Sequence, residues 1–204
     1  MIADCTAIVM AGGDSSRMGT DKANVTLGEK TLLQSVIATM QQVFPQVIVS
    51  VRQPRAGIDL PQVCDEQPDG GPLAGLVASL GQITTPWAFM VACDMPFLDP
   101  AVIAQFTSRR ASADMGMAKL AARLHPMHAL YSKRCLPVVE RMIQTRQLKI
   151  QEMTSDRSLH VRYVTEDDLR TLDPSGRSFQ NVNTPADLEV ARSLLAQLPP
   201  SKPL

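Results

Sequence analysis

Apolar residues in this chain fall into two kinds of stretch, and their alternation predicts an architecture. Thr6 to Met10, Val47 to Val51 and Trp87 to Cys93 are apolar runs without polar alternation, the pattern of strands covered on both faces. Between them, apolar residues recur every three or four positions, as on one face of a helix. Leu33, Val36, Ile37, Met40 and Val43 form the first such stripe; Thr31 and Gln34 are spaced as a capping box before it, and Pro45 ends it. Pro72, suited to a first helical turn, precedes Leu73, Leu76, Val77 and Leu80, and Asp99-Pro100 precedes Val102, Ile103 and Phe106. A fourth stripe, Leu136, Val139, Met142 and Ile143, lies within Arg134 to Gln144. Strands alternating with helices in this way predict an α/β fold, a three-layer α/β/α sandwich on a mostly parallel sheet.

The remaining segments are less regular. A Pro- and Gly-rich loop is expected from Val51 to Asp65, and Asp114 to Ala118 and Met127 to Ser132 read as strands flanking a turn that carries His125-Pro126. Glu166-Asp167-Asp168 reads as a solvated helix start. Thr184 and Asp187 are spaced to cap a helix beginning at Pro185. The Pro-rich residues 199–204 cannot extend a helix and are expected to fray, leaving one domain over 1–198.

Composition excludes several function classes. With 20 basic and 20 acidic residues the formal charge is zero, so no global field draws the protein to nucleic acid or an anionic membrane. Cys5, Cys64, Cys93 and Cys135 are scattered without a C-x-x-C pair, which argues against a zinc site or a disulfide framework. His125 and His128 flank Pro126, which discourages the helical spacing of a metal pair. With no basic and apolar leader pattern and no run long enough to span a bilayer, a cytoplasmic location is expected.

Anion affinity must then be local, and the run Met10-Ala11-Gly12-Gly13-Asp14-Ser15-Ser16-Arg17-Met18-Gly19-Thr20-Asp21-Lys22 supplies it. Gly12 and Gly13 let backbone N–H groups approach a base or phosphate, while Arg17 can fork onto phosphate oxygens and Lys22 acts as a point charge. The run is neither G-x-x-x-x-G-K-[ST] nor G-x-G-x-x-G, so a P-loop and a standard dinucleotide fold lose support. Gly70 and Gly71 open a second helix whose free N–H groups suit a base edge or anion. Asp94 closes a buried strand at the sheet edge where α/β proteins bind ligands; it either caps the next turn or holds Mg²⁺ against a triphosphate. Asn181 and Asn183 sit in an extended segment of which one face can meet that edge. Arg123 and His125 fit either an anionic acceptor or a solvated hairpin.

The segment A-G-G-x-x-x-R-M-G-x-D-K resembles the signature of the molybdenum cofactor guanylyltransferases, within the sugar-nucleotidyltransferase-like superfamily. Gly71-Pro72-Leu73-Ala74-Gly75, Cys93-Asp94-Met95-Pro96 and Asn181-Val182-Asn183-Thr184-Pro185 are similar to that family's other motifs in order and spacing. The resemblance implies a Rossmann-like sheet of the nucleotidyltransferase, or glycosyltransferase-A, type and the transfer of GMP from GTP to molybdopterin or Mo-molybdopterin, with release of pyrophosphate. It implies Arg17, Lys22 and Asp94 as catalytic residues, and Met10 to Gly13, Lys22, Asp65 and Asp94 around the nucleotide. Arg17, Gly71, Gly75, Asn181 and Asn183 fall on the acceptor side, and Asp94 with Asn183 on Mg²⁺. Delivery proteins and recipient molybdoenzymes are the implied partners. Met10, Thr20 and Ser50 depart from the family's usual Leu, Gly and Asn. A related cytidylyl- or guanylyltransferase with another phosphorylated acceptor, or a non-catalytic nucleotide-binding regulator, are the competing readings.

Overall fold

Seven strands form one sheet in the order β5-β4-β1-β6-β8-β7-β9, where β1 is Cys5–Met10, β4 Gln46–Val51, β5 Gln62–Cys64, β6 Trp87–Ala92, β7 Met115–Leu120, β8 Arg123–Ser132 and β9 Val161–Val164. Only β8 runs against its neighbours in this sheet; all other pairs are parallel. A separate two-stranded ribbon joins β2, Thr26–Leu27, to β3, Lys30–Thr31. The computed structural model describes residues 1–12, 21–65, 67, 70–108 and 110–197. Gly13, Arg17, Gly19 and Thr20 of the signature run, and the tail expected to fray, lie outside the described residues.

Successive side chains of a strand point to opposite faces, so β1 feeds two cores. Cys5, Ala7 and Val9 join Leu33, Val36 and Met40 of α1, Leu32–Val43, and Val102, Ile103 and Phe106 of α3, Pro100–Thr107. Ile8 joins Leu73, Leu76 and Leu80 of α2, Gly71–Gln82, and Val138, Val139 and Met142 of α4, Leu136–Gln144. The three layers expected from the alternation are thus present. Both halves of the Thr31/Gln34 capping box form (Gln34 N–H to Thr31 Oγ1, 3.1 Å; Thr31 N–H to Gln34 Oε1, 2.9 Å), a motif whose loss costs a helix about 1 kcal/mol. Thr165 and Asp168 box the short helix α5, Glu166–Leu169, at the acidic run.

Two expectations are corrected. The loop after β4 contains β5, a three-residue edge strand with only Val63 buried, too short for a periodicity to register. His125-Pro126 does not form a turn: both residues lie inside β8, and the two-residue turn is Ala121-Ala122. Proline is tolerated in this strand because the register jumps there, from Met117 opposite Ala129 to Ala118 opposite His125, leaving Pro126, Met127 and His128 in a bulge on the β7 side. Ala121 and Ala122 take φ of 47° and 63°, the left-handed pair that a tight hairpin turn needs and that residues with a Cβ disfavour. The Glu166 carboxylate accepts from Ala121 N–H and secures the turn.

The bulge also turns His128 into the core. Its ring stacks between Phe106 (5.3 Å) and Phe179 (4.4 Å), with Phe89 edge-on at 5.5 Å. Nδ1–H donates to the Ser178 carbonyl at 3.2 Å, whereas Nε2 is buried with no hydrogen-bond partner. Burial pushes its pKa from 6.5 down to about 3, so the ring is neutral and cannot serve as a metal ligand's charged partner or an acid.

Two outcomes follow for stability. As pH falls below 6.5 the unfolded chain takes up a proton that the fold excludes until about pH 3. His128 therefore contributes stability that is present above pH 6.5 and declines as the medium acidifies, by up to ~1.4 kcal/mol per pH unit. Urea unfolding of His128→Phe at pH 7 and pH 5 should show a smaller acid loss than the wild-type chain. Replacing Ala121-Ala122 by Asn-Gly should raise the unfolding free energy by about 1 kcal/mol, as measured by the same titration.

Candidate functional site

The carboxyl ends of β5, β4, β1 and β6 meet where the chain reverses its direction across the sheet: α1 covers one face on the way to β4, and α2 the other on the way to β6. Such a switch point leaves a crevice outside the strand ends. Here it is a cavity of about 350 Å³ walled by Met10, Ala11 and Gly12 at the end of β1, Ser50 and Arg52 at the end of β4, Asp65 after β5, and Ala92, Cys93 and Asp94 at the end of β6. Gly71 and Pro72 at the start of α2, Asp21 and Lys22, Gln67, Met127 of β8, and Asn181 from the C-terminal segment also line it.

Backbone demands explain two of the glycines at the crevice. A Cβ on Gly12 would stand 3.3 Å from the Arg52 backbone nitrogen, so Gly12 lets the turn after β1 lie against the end of β4. Gly71, with φ of 54°, gives α2 a left-handed entry that glycine accepts at little cost. The turn after β1 is pinned on both sides, by Ala11 N–H to the Ser50 carbonyl (2.8 Å) and Cys93 N–H to the Met10 carbonyl (3.1 Å).

On the floor of this crevice, three segments converge. Lys22 begins a short 3-10 turn, Lys22–Asn24, and its Nζ donates to Asp94 Oδ2 at 3.2 Å and Asn183 Oδ1 at 2.6 Å. Asn181 Nδ2 donates to Asp94 Oδ1 at 2.9 Å. The backbone fixes the same arrangement, since Val182 N–H donates to the Asp94 carbonyl at 2.8 Å while the Val182 side chain is buried beside Leu27, Leu32 and Ala191. With Val182 facing inward, both flanking asparagines face the site, where only one had to. Asp187 accepts from the N–H groups of Asn183 (2.9 Å) and Thr184 (2.8 Å), which hold its carboxyl below the usual range and anchor α6, Pro185–Gln197, beneath them.

Asp94 and Lys22 side chains are only 11 % and 18 % exposed, so the pair is partly desolvated and each needs the other. One cation already lies between Asp94 Oδ2 and Asn183 Oδ1, and these hard oxygens suit Mg²⁺, which takes one or two protein oxygens and completes its shell with phosphates and water. Among the described residues no group of three or more His, Cys, Asp or Glu could hold a metal alone. Cys93 is no nucleophile: burial and the adjacent Asp94 charge push its thiol up to about 12.

A basic side chain, a strand-end carboxylate and two amides around a crevice of this topology suit a nucleotide and its phosphates. The family model described as MobA-like NTP transferase domain matches residues 7–160. The chain belongs to that family. Among its relatives, a probable molybdenum cofactor guanylyltransferase of Pelotomaculum thermopropionicum is 33% identical over 92% of this chain and 91% of its own. The molybdenum cofactor guanylyltransferase of Desulfosudis oleivorans is 32% identical over 93% and 95%. The solved structure of molybdopterin-guanine dinucleotide biosynthesis protein A from Archaeoglobus fulgidus superposes with a TM-score of 0.83, at 26% identity, over 95% of this chain and all (100%) of that one.

Of the residues that the MobA-like motifs single out, Met10, Ala11, Gly12, Lys22, Asp65, Gly71, Asp94 and Asn181 line the crevice, and Asn183 touches it through Lys22. Gly13 and Arg17 fall outside the described residues. Gly75, expected on the acceptor side, is instead buried behind the crevice wall: a Cβ there would stand 2.4 Å from Met10 Cε and 2.6 Å from Ser50 Oγ. Its lack of a side chain lets α2 pack against β1 and β4. Arg52 and Met127 also line the crevice and were not singled out; only their places at a strand end and in a bulge could have marked them, whereas Ser50, which stands where the family usually has Asn, lines it as well. A second cavity of about 590 Å³ shares Asn181 with the first and borders Asn183, Arg123, His125, Phe97 and Phe179. Among the described residues no helix is long and apolar enough to cross a membrane.

Gly75→Ala should change the stability of the MobA-like fold by no more than about 1 kcal/mol, because the added methyl meets the tip of the flexible Met10 side chain and the Ser50 hydroxyl, which must turn aside, while alanine favours the helix interior over glycine by a comparable amount. Thermal unfolding checks this.

Proposed function

We propose that this chain transfers GMP from GTP to the terminal phosphate of molybdopterin or Mo-molybdopterin, forming molybdopterin guanine dinucleotide. An acceptor phosphate oxygen attacks the α-phosphorus. The bond from that phosphorus to the bridging oxygen breaks, and its electron pair leaves with pyrophosphate. The convergence of Lys22, Asp94 and Asn183 carries the reading, because it gathers a cation and two oxygen ligands where the end of β1 meets the end of β6. Similarity to guanylyltransferases over nearly the whole chain supports the choice of nucleotide and acceptor.

In this scheme the Met10 to Gly12 backbone holds the nucleoside, and Asp65 accepts from the guanine edge or ribose. Lys22, which is already a donor to two groups, turns its charge to the phosphates. Asp94 and Asn183 would hold Mg²⁺, which when bound neutralises phosphate charge. Asn181 stands in the wall common to both cavities, so an acceptor in the second one reaches the nucleotide past its amide. Alignment of attacking and leaving oxygens, with charge neutralised around them, is the general means of such transfers. Free cysteines suit a reducing cytoplasm, and an unstable pterin acceptor calls for delivery proteins on one side and recipient molybdoenzymes on the other.

Calorimetric titration with GTP, CTP and ATP in the presence of Mg²⁺ should give tightest binding with GTP. A preference for CTP would replace the guanylyl reading by a cytidylyl one. Asp94→Ala should reduce Mg²⁺-dependent pyrophosphate release by about a hundredfold or more while retaining the fold by circular dichroism. Undiminished release would refute the role of Asp94.

A further inference from the structure

The signature run ends in Asp21-Lys22, and the proposed reaction employs only the lysine. Asp21 is engaged through both carboxylate oxygens. Oδ1 accepts from Ala23 N–H at 3.1 Å and so caps the 3-10 turn that starts at Lys22; Oδ2 pairs with the Arg55 guanidinium. Arg55 arrives from the connection between β4 and β5, 34 residues along the chain. It is half-buried, whereas Gln53, Pro54, Ala56 and Gly57 around it are exposed, so its side chain turns inward, as those of Ile58 and Leu60 do further along the connection.

The backbone of Arg55 is itself fixed. The Gln62 side-chain amide, carried by β5, accepts from Arg55 N–H and donates to the Arg55 carbonyl, both at 2.8 Å, much as a neighbouring strand would. Asp21 and Lys22 wall the crevice, and Arg55 stands outside that wall. A path of hydrogen bonds and one ion pair therefore runs from the sheet edge to the ammonium group: Gln62 to Arg55, Arg55 to Asp21, Asp21 to the capped turn, and the turn to Lys22 against Asp94 and Asn183. A lysine on a four-carbon stem is placed only as well as the backbone that bears it, and a small misplacement of a charged group at a reacting phosphate is expensive.

We propose that Arg55 is a positioning residue for the transfer, holding Asp21 and through it the turn that sets Lys22 in place. This rests on the reading of Lys22 as a phosphate-binding group. The test compares Arg55→Ala, Asp21→Asn, Lys22→Ala and the pairwise combinations by GTP titration, by the separate kcat and KM of pyrophosphate release, and by thermal unfolding. Asp21→Asn keeps an oxygen for the cap but removes the charge that Arg55 meets.

Arg55→Ala and Asp21→Asn should each weaken GTP binding about tenfold, the loss of one charge-assisted bond, with the melting temperature nearly unchanged. Their combination should be no worse than either alone, and Arg55→Ala should add nothing in the Lys22→Ala background. Arg55→Lys, which keeps the charge without the fork, should recover part of the loss; should Arg55→Ala fail to fold, this variant and Asp21→Asn carry the comparison. Normal GTP affinity in Arg55→Ala beside weak affinity in Lys22→Ala would overturn the positioning role and leave the function standing. A full extra tenfold loss on top of Lys22→Ala would also overturn it. Undiminished GTP binding by Lys22→Ala would strike the phosphate reading itself, and the proposal with it.

Discussion

A partly desolvated carboxylate at the end of a buried strand is the constraint around which the rest of this molecule is arranged. Asp94 loses most of its contact with water on leaving β6, and a charge in that position is tolerable only when it is paired and hydrogen-bonded. Lys22 supplies the charge and Asn181 the further bond, yet neither is near it in sequence. The 3-10 turn at Lys22 and the segment before α6 are therefore brought to one point by electrostatics, while the sheet supplies the frame that keeps the point fixed.

The scaffold was largely legible in the sequence because it rests on periodicity. The runs at β1, β4 and β6 are apolar throughout since helices cover both faces, and the stripes of α1 to α4 repeat at helical spacing since each has one core to face. Capping boxes at Thr31 and Thr184 are local chemistry and are readable as such, whereas the equally local box of Thr165 with Asp168 goes unread when the acidic run is taken for a solvated helix start. The location of Asp94 at the end of β6, beside the end of β1, follows from topology once the strands are known, whereas Lys22 reaches it from the 3-10 turn that it begins.

What escaped the sequence is what depends on a partner elsewhere. β5 is defined by its pairing with β4, not by its own pattern. The hairpin turn at Ala121-Ala122 carries none of the residues that advertise such turns, and its conformation is imposed by the strands on either side. His128 offers no local sign that a bulge will direct it into a stack of phenylalanines. Gly75 sits in a motif and so invites a ligand role, but its requirement comes from Met10 and Ser50 behind it. Arg55 lies in a loop with no distinguishing pattern and acquires significance only through Asp21 and Gln62.

The partition between α2 and the crevice is a single layer of side chains. Met10 and Ser50 face the crevice on one side and meet the bare Cα of Gly75 on the other. The same helix is packed through Leu73, Leu76 and Leu80 into one core with Val138, Val139 and Met142 of α4. Any adjustment in how those two helices nest is thus transmitted, with little material to absorb it, to the surface a nucleoside would rest on. Selection for base preference in such a molecule can act from behind, through residues that a ligand never meets.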